Sequence, residues 1–391
     1  MRQATERLAT KLRERMVAEL VEEGALRDRA WREAFLRVPR HVFLPRFFRQ
    51  DVRGRWAAVA EGDRDWLRLV YLDRVWVTQL DGDDARWDET RRNGPTTGVP
   101  TSSSSEPSLM ALMLEDLDVH DGHRVLEIGT GTGYNAALVC HRLGSTRLST
   151  VDVDDALVRR ATERLSTCGF HPTVATADGA LGYPPDAPYD RVLGTCAVAR
   201  VPLPWLAQTR PGGLVLTTLH RPLGAGLVLL TVHDAEHAEG RVLPTDARFM
   251  PLRAHSGPEV EELLSQAAQQ NGASRGTRLG ARTVTSPGSS FEFFAGTALP
   301  GVRTAGEFQG GGPQRVWLLH PDGSWARHTT ADGRYSVEQS GPRRLWDEVE
   351  AAHTEWVHLG RPERDRFGLT VTGHGQWLWL DHPESPHRWP L

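Results

Sequence analysis

Ten consecutive residues, Val125-Leu126-Glu127-Ile128-Gly129-Thr130-Gly131-Thr132-Gly133-Tyr134, restrict the fold of this chain more than any other segment. A short apolar strand carries an acid near its end, and glycine then recurs at every second position into a helix. Glycine is required where backbone bends sharply and approaches a ligand with no Cβ in the way. The spacing is GxGxG, whereas dinucleotide enzymes use GxGxxG to set a pyrophosphate on a helix N-terminus. Glu127 stands two residues before the first glycine, where a carboxylate suits an ammonium group or a bound water. A glycine turn alone is equally what a tight structural turn needs, so the acids further along carry the decision.

Two of them fall at strand ends. Asp152 closes RLSTVDV and is placed to accept from ribose hydroxyls; Asp178, followed by Gly179, closes PTVATAD and is placed to accept from an adenine amino group. Glu127, the Gly129–Gly133 turn, Asp152 and Asp178 together predict a site for S-adenosylmethionine. Thr130, Val153, Gly179 and Thr195 are its expected further lining. Tyr134 either packs against the methionine chain or covers the helix start.

Strands and helices alternate around this motif from about 122 to 220: HRVLEI, YNAALVCHRL, RLSTVDV, DALVRRATERL, PTVATAD, YDRVLGT, WLAQTR and GGLVLTTL. This order predicts an α/β core with right-handed crossovers and a mainly parallel sheet. GLVLLTVHD and RFMPLRA read as further strands of it. Upstream, Leu8, Leu12, Met16, Val17 and Leu20 form one helical stripe, and Trp31, Ala34, Phe35 and Val38 another. LRLVYLDRVWVTQL reads as strand, GDDARWDETRRNGPTTG as loop, and Thr101 to Ser105 as a polar linker. Ser105, Glu106 and Pro107 then resemble a helix N-cap with an early proline. Residues 257–290, rich in Gly, Ser, Ala and Gln, read as a flexible joint. SSFEFFAG, RVWLLH, SWARHT, RYSVEQ, GLTVTG and QWLWLDH read as strands of a C-terminal α+β domain containing one helix, PRRLWDEVEAAHTEWVHLG. The expected division is 1–100, 101–256 and 257–391.

Composition excludes several classes. A formal net charge of −4 gives no footprint of nucleic-acid binding, and Lys11 is the sole lysine. Cys140, Cys168 and Cys196 have no metal-ligand spacing, and the histidines show no HExxH pattern, so no metal is expected. No run has the length of a membrane span and the N-terminus lacks an apolar leader core. A soluble cytoplasmic protein is the expectation.

VLEIGTGTGYNAAL, ADGALGYPPDAPYDRVL, Thr195 through Pro202, the VPRHVFLP segment and the Tyr71-x-Asp73 pair resemble the protein-L-isoaspartate O-methyltransferase family over roughly 15–220, with insertions near 49–65 and 80–100. The resemblance implies a Rossmann-like class I S-adenosylmethionine methyltransferase fold that esterifies a carboxylate on a peptide. In that family a Ser-x-Pro segment supplies an active-site hydroxyl, which makes Ser105 the candidate catalytic serine. Ser104 and Arg200 become candidate substrate-binding residues. Without the resemblance, Ser105 reads as an N-cap and Arg200 as a solvated arginine.

Departures from the family point to one branch. TSSSSEPS, with Ser108 where an aromatic or histidine is usual, VTQLDGDDARW and the long C-terminal extension look like homologues accompanying lanthipeptide and ATP-grasp peptide maturation in actinobacteria. That resemblance implies methylation of an ordinary Asp on a macrocyclic precursor peptide, closure to a succinimide and opening to isoaspartate. The extension is expected to be absent, in this form, from repair enzymes. General isoaspartyl repair and small-molecule methylation are the alternatives. The Trp-rich C-terminal part serves either as a peptide groove or as core.

Overall fold

The computed structural model describes residues 2–221, 223–253, 260–309, 312–331 and 333–391. The chain forms two compact units, 1–196 with 204–216, and 197–203 with 217–391. The divisions expected near 100 and 256 do not coincide with the boundary between these units.

In the first unit, Val125–Ile128 pairs in parallel with Leu148–Asp152 and Tyr189–Val198, and Leu148–Asp152 pairs in parallel with Thr173–Thr176. Thr209–Leu219 neighbours Tyr189–Val198. Helices Tyr134–Leu143 and Asp155–Thr167 supply the crossovers, the second capped by Asp154, whose side chain accepts from Ala156 N and Leu157 N. All four residues of Val125–Ile128 are buried. A strand covered on both faces is mainly apolar, and Val125, Leu126 and Ile128 fit that, with Glu127 the buried exception.

The segment before the core is more ordered than its composition implies. LRLVYLDRVWVTQL is not one strand: Trp66–Val70 is a helical turn burying Trp66, Leu67 and Val70, and Trp76–Leu80 is the strand. The expected loop after it contains helix Ala85–Asn93. The serine run is no linker, because Pro100–Ser104 pairs antiparallel with Trp76–Leu80 at the edge of a four-stranded sheet. Ser102 and Ser104 are buried, and Thr78 donates to the Ser102 hydroxyl at 3.0 Å. Hydroxyls satisfied by partners of this kind make a polar strand tolerable inside a fold.

In the second unit, Gly226–Asp234, His237–Val242, Phe367–Thr372, Gly375–Leu380 and Arg388–Pro390 form a run of antiparallel neighbours. A separate antiparallel sheet has the order Ala273–Thr277, Arg334–Ser340, Trp325–Ala331, Gly312–Leu319, Arg303–Gln309. RFMPLRA contributes only an isolated bridge through Pro251, since a proline cannot extend a ladder on both sides. SSFEFFAG is helix Ser290–Ala298, whose first turn is capped by the Ser289 hydroxyl accepting from Glu292 N. The expected joint contains helices Val260–Ala268 and Ala281–Thr285 and strand Ala273–Thr277; its residues 257–259 lie outside the described residues. Trp317, Trp325, Trp346 and Trp379 are core residues, each no more than 5% exposed. The spacing of helix Leu345–His358 puts Leu345, Val349, Ala352 and Trp356 on one face; the structure buries the first three together with Trp346, and Trp356 is half-buried.

Candidate active site

The glycine turn has the backbone that its sequence demands. Gly129, Gly131 and Gly133 all have positive φ, at 105°, 52° and 84°. A Cβ on Gly129 would lie 2.6 Å from the Thr195 hydroxyl, which itself sits 2.7 Å from the Gly129 carbonyl and donates to it. A Cβ on Gly131 would face the Ser103 carbonyl at 3.5 Å, so the turn lies against the serine strand.

Beneath the turn, Glu127 is fully buried. Its Oε1 accepts from Asn135 Nδ2 and its Oε2 from Thr150 Oγ1, each at 2.6 Å, and Thr150 also meets the Thr130 hydroxyl at 2.8 Å. Glu127 thus braces the turn from below, tying strand, turn and helix together. Burial pushes its carboxyl up from an ordinary 4.5 to about 7, against the two hydrogen bonds and with a smaller push from Asp152. The folded protein therefore holds this proton more tightly than the unfolded chain. The resulting stabilisation is complete below the unfolded value and is lost as pH rises through about 7. Accordingly, the melting temperature of the parent protein should fall relative to that of Glu127→Gln between about pH 5 and about pH 8. Parallel melting curves for the two proteins across that window would contradict this assignment.

The other two acids differ in exposure. Asp152 is half-buried, accepting from Gly131 N at 2.9 Å and from Asp154 N at 3.1 Å. Val153, next to it, is 46% exposed, an apolar surface of the kind an adenine or ribose face needs. Asp178 is exposed and accepts from Ala180 N, and the Gly179 carbonyl accepts from the Trp205 indole at 2.7 Å. Acids at two strand ends, an exposed valine between them and a glycine cradle fit S-adenosylmethionine. Tyr134 is packed against Phe35 and Phe43, which favours the covering role over contact with a ligand.

Ser105 is not the N-cap that its sequence position offers. The cap is Glu106, with Pro107 in the first turn. Ser105 is half-buried, and among the described residues its hydroxyl has no hydrogen-bond partner. Ser104 is buried and turned toward Arg40, whose Nη2 approaches its hydroxyl at 3.5 Å. Arg200 is exposed and belongs to the second unit.

Sequence reasoning passed over the residue that holds this segment. Arg40, inside VPRHVFLP, is completely buried. Its Nη1 donates to the Val70 and Leu72 carbonyls at 2.7 and 2.9 Å, and its Nη2 to Arg74 and Ser105 carbonyls at 3.1 and 3.0 Å. Desolvation lowers its pKa to about 10, opposed by Tyr134, Asp73 and Tyr71, so it stays charged at neutral pH. Its guanidinium carbon lies 5.8 Å from the Tyr134 ring centre. The Tyr71-x-Asp73 pair completes the brace: Tyr71 Oη contacts His41 Nδ1 at 2.8 Å, and Asp73 Oδ1 accepts from Ser108 N at 2.8 Å. A lone arginine after a proline carries little sequence signal, because its role depends on carbonyls some thirty and sixty-five residues away.

A family model described as protein-L-isoaspartate(D-aspartate) O-methyltransferase matches residues 94–253. The protein-L-isoaspartate O-methyltransferase of Methanosarcina mazei is 32% identical over 213 residues, 54% of this chain and 71% of that protein. The same-named protein of Methanothermobacter thermautotrophicus is 31% identical over 252 residues, 63% of this chain and 96% of its own. The chain belongs to the protein-L-isoaspartate O-methyltransferase family. It is therefore an S-adenosylmethionine-dependent protein carboxyl methyltransferase. A solved protein-L-isoaspartate O-methyltransferase structure is similar in fold at a TM-score of 0.52 and 23% identity, covering 95% of this chain and all of that one. That likeness is one of fold. Among the described residues no His/Cys/Asp/Glu group is arranged to hold a metal, and no helix is long and apolar enough to cross a membrane.

Proposed function

We propose that the chain methylates a free carboxylate of a peptide, the side-chain carboxylate of an aspartyl residue or the α-carboxylate of an isoaspartyl residue, with Ser105 orienting one carboxylate oxygen. The observation that carries this reading is the unpartnered Ser105 hydroxyl, on a backbone fixed by Arg40 and next to a strand that touches the glycine turn. Glu127, Gly129, Thr130, Gly131, Gly133, Asp152, Val153, Asp178, Gly179 and Thr195 are the proposed cofactor residues, and Ser104 and Arg200 the proposed substrate residues. Bound S-adenosylmethionine supplies an electrophilic methyl group. A carboxylate is already ionised at neutral pH, so the protein has no proton to remove. Its work is to align the carboxylate, desolvate it and keep water out. Ser105 donates one hydrogen bond to the oxygen that does not react, leaving the other oxygen free to attack.

For Ser105→Ala, turnover should fall about tenfold or more, the worth of one charge-assisted hydrogen bond, while cofactor affinity and melting temperature stay close to those of the parent. Loss of stability with unchanged turnover would remove Ser105 from the mechanism.

From the resemblance of the serine-rich segment, the inserted 77–87 stretch and the C-terminal extension to peptide-maturation homologues, the substrate is proposed to be a macrocyclic precursor peptide whose Asp ester closes to a succinimide. General isoaspartyl repair is the second reading, favoured by the relatives' names. Competition between a cyclised Asp peptide and a linear isoaspartyl peptide for methylation separates them. Preference for the linear isoaspartyl peptide would overturn the macrocycle reading and leave carboxyl methylation intact.

A further inference from the structure

Strand Ala273–Thr277 is the terminal strand of the five-stranded sheet in the second unit, and among the described residues it pairs with Arg334–Ser340 alone. Sheet edges of this kind are usually blunted by proline, by a bulge or by a covering element. This one is not. Its register is regular from Ala273 opposite Gln339 to Thr277 opposite Tyr335, its sequence ASRGT lacks proline, and Ala273 through Gly276 are exposed. A Cβ on Gly276 would meet nothing within 4 Å. The Gly276 carbonyl accepts from the Arg275 guanidinium at 3.1 Å, a side-chain donor at an open edge.

Alongside the edge runs a cavity of about 720 Å³, bounded by Gly276 to Leu279 on one side and by Glu350, His353 and Thr354 of helix Leu345–His358 on the other. Two arginines line it. Arg275 is committed to Asp347 and Glu350. Arg278, also on the cavity wall, is exposed and has no ion-pair partner among the described residues. His353 lies edge-on to Phe291 at 4.9 Å and brings its imidazole to the same wall. An open strand edge beside a helix, with a spare cation between them, matches the arrangement by which extended peptides add a strand and place alternate side chains in a pocket.

We propose that this edge binds an extended acidic segment of the peptide substrate by strand addition, with a substrate carboxylate paired to Arg278; this rests on the reading of the substrate as a peptide. The site lies wholly within the second unit and uses none of the methyl-transfer residues. It would hold a peptide by a region other than the methylated residue, and so raise selectivity without touching the chemistry.

The test uses the full chain, a fluorescein-labelled nonapeptide of alternating aspartate and valine, and its lysine–valine counterpart. The acidic peptide is expected to bind saturably and the basic one not. Arg278→Glu should weaken acidic-peptide binding about tenfold or more and leave methylation of a short neutral isoaspartyl peptide unchanged. Hydrogen exchange at 273–277 should slow when the acidic peptide is added. No binding, equal binding by parent and Arg278→Glu, or unchanged exchange at 273–277 would overturn the proposal. So would slowing that appears on raising the protein concentration without peptide, which assigns the edge to a second copy of the chain. Absence of carboxyl methylation in both parent and variant would overturn the proposed reaction and not the strand-addition site.

Discussion

Arg40→Ala is expected to reduce turnover about a hundredfold, the scale of an ångström-sized misplacement of a reacting group, and to lower stability on the order of 3 kcal/mol. The Val70, Leu72, Arg74 and Ser105 carbonyls would lose their shared donor together, and the space left by the fully buried Arg40 side chain would stay empty. Released from it, the backbone that carries the Ser105 hydroxyl has no fixed relation to the glycine turn. Arg40→Lys keeps the charge but replaces a planar fork with a single ammonium, which cannot satisfy four carbonyls spread over both ends of a guanidinium. It should recover part of the stability and little of the turnover. Cofactor affinity, carried by the turn and the strand-end acids, should change least. A variant of Arg40 that melts normally and turns over normally would show that the fork holds nothing that catalysis needs.

Gly129→Ala should abolish cofactor binding in the accessible range while leaving a folded protein. The added Cβ meets the Thr195 hydroxyl at 2.6 Å, and a φ of 105° is one that side chains rarely adopt. The conformational cost alone is about 1–3 kcal/mol, and relieving the clash moves the turn away from Thr195. Gly24→Ala is the matched control: φ is 76° there too, but no atom lies within 4 Å of the new Cβ. It should lower stability by about 1–2 kcal/mol and leave affinity for S-adenosylhomocysteine unchanged. Calorimetry giving equal affinities for the two alanine variants would contradict the placement of the cofactor at this turn.

The parallel strands were legible from their short Val- and Leu-bearing segments, 125–128, 148–152 and 189–198, alternating with amphipathic helical stretches. The strand-end acids and glycines were legible for the same reason: their spacing is local. What was misread depended on distant partners. SFEFFAGTA is rich in aromatic residues that favour strands, yet it is a helix in which seven residues are buried. A Cβ on Gly296 would lie 2.1 Å from the Leu223 carbonyl, so this close packing overrides local preference. Pro100–Ser104 has the composition of a linker and is a strand because Trp76–Leu80 pairs with it. The place of Glu127 before the glycines is visible in the sequence, but its full burial and its two internal hydrogen bonds, which give it a bracing role, emerge only when Thr150 and Asn135 are in place. Arg40 was quoted only as part of a resemblance. Its importance lies in carbonyls, which every residue has and no sequence pattern marks.

The full chain is incubated with S-adenosylmethionine and a set of peptides, an Asp macrocycle, its linear form and a linear isoaspartyl peptide, and the products are read by mass spectrometry before and after mild base. The account predicts S-adenosylhomocysteine together with a single methyl group on at least one peptide, removed by base as a carboxyl ester must be, and much reduced with Ser105→Ala. A methyl group that survives base, or methyl transfer to none of the peptides under conditions where S-adenosylmethionine binds, would contradict it.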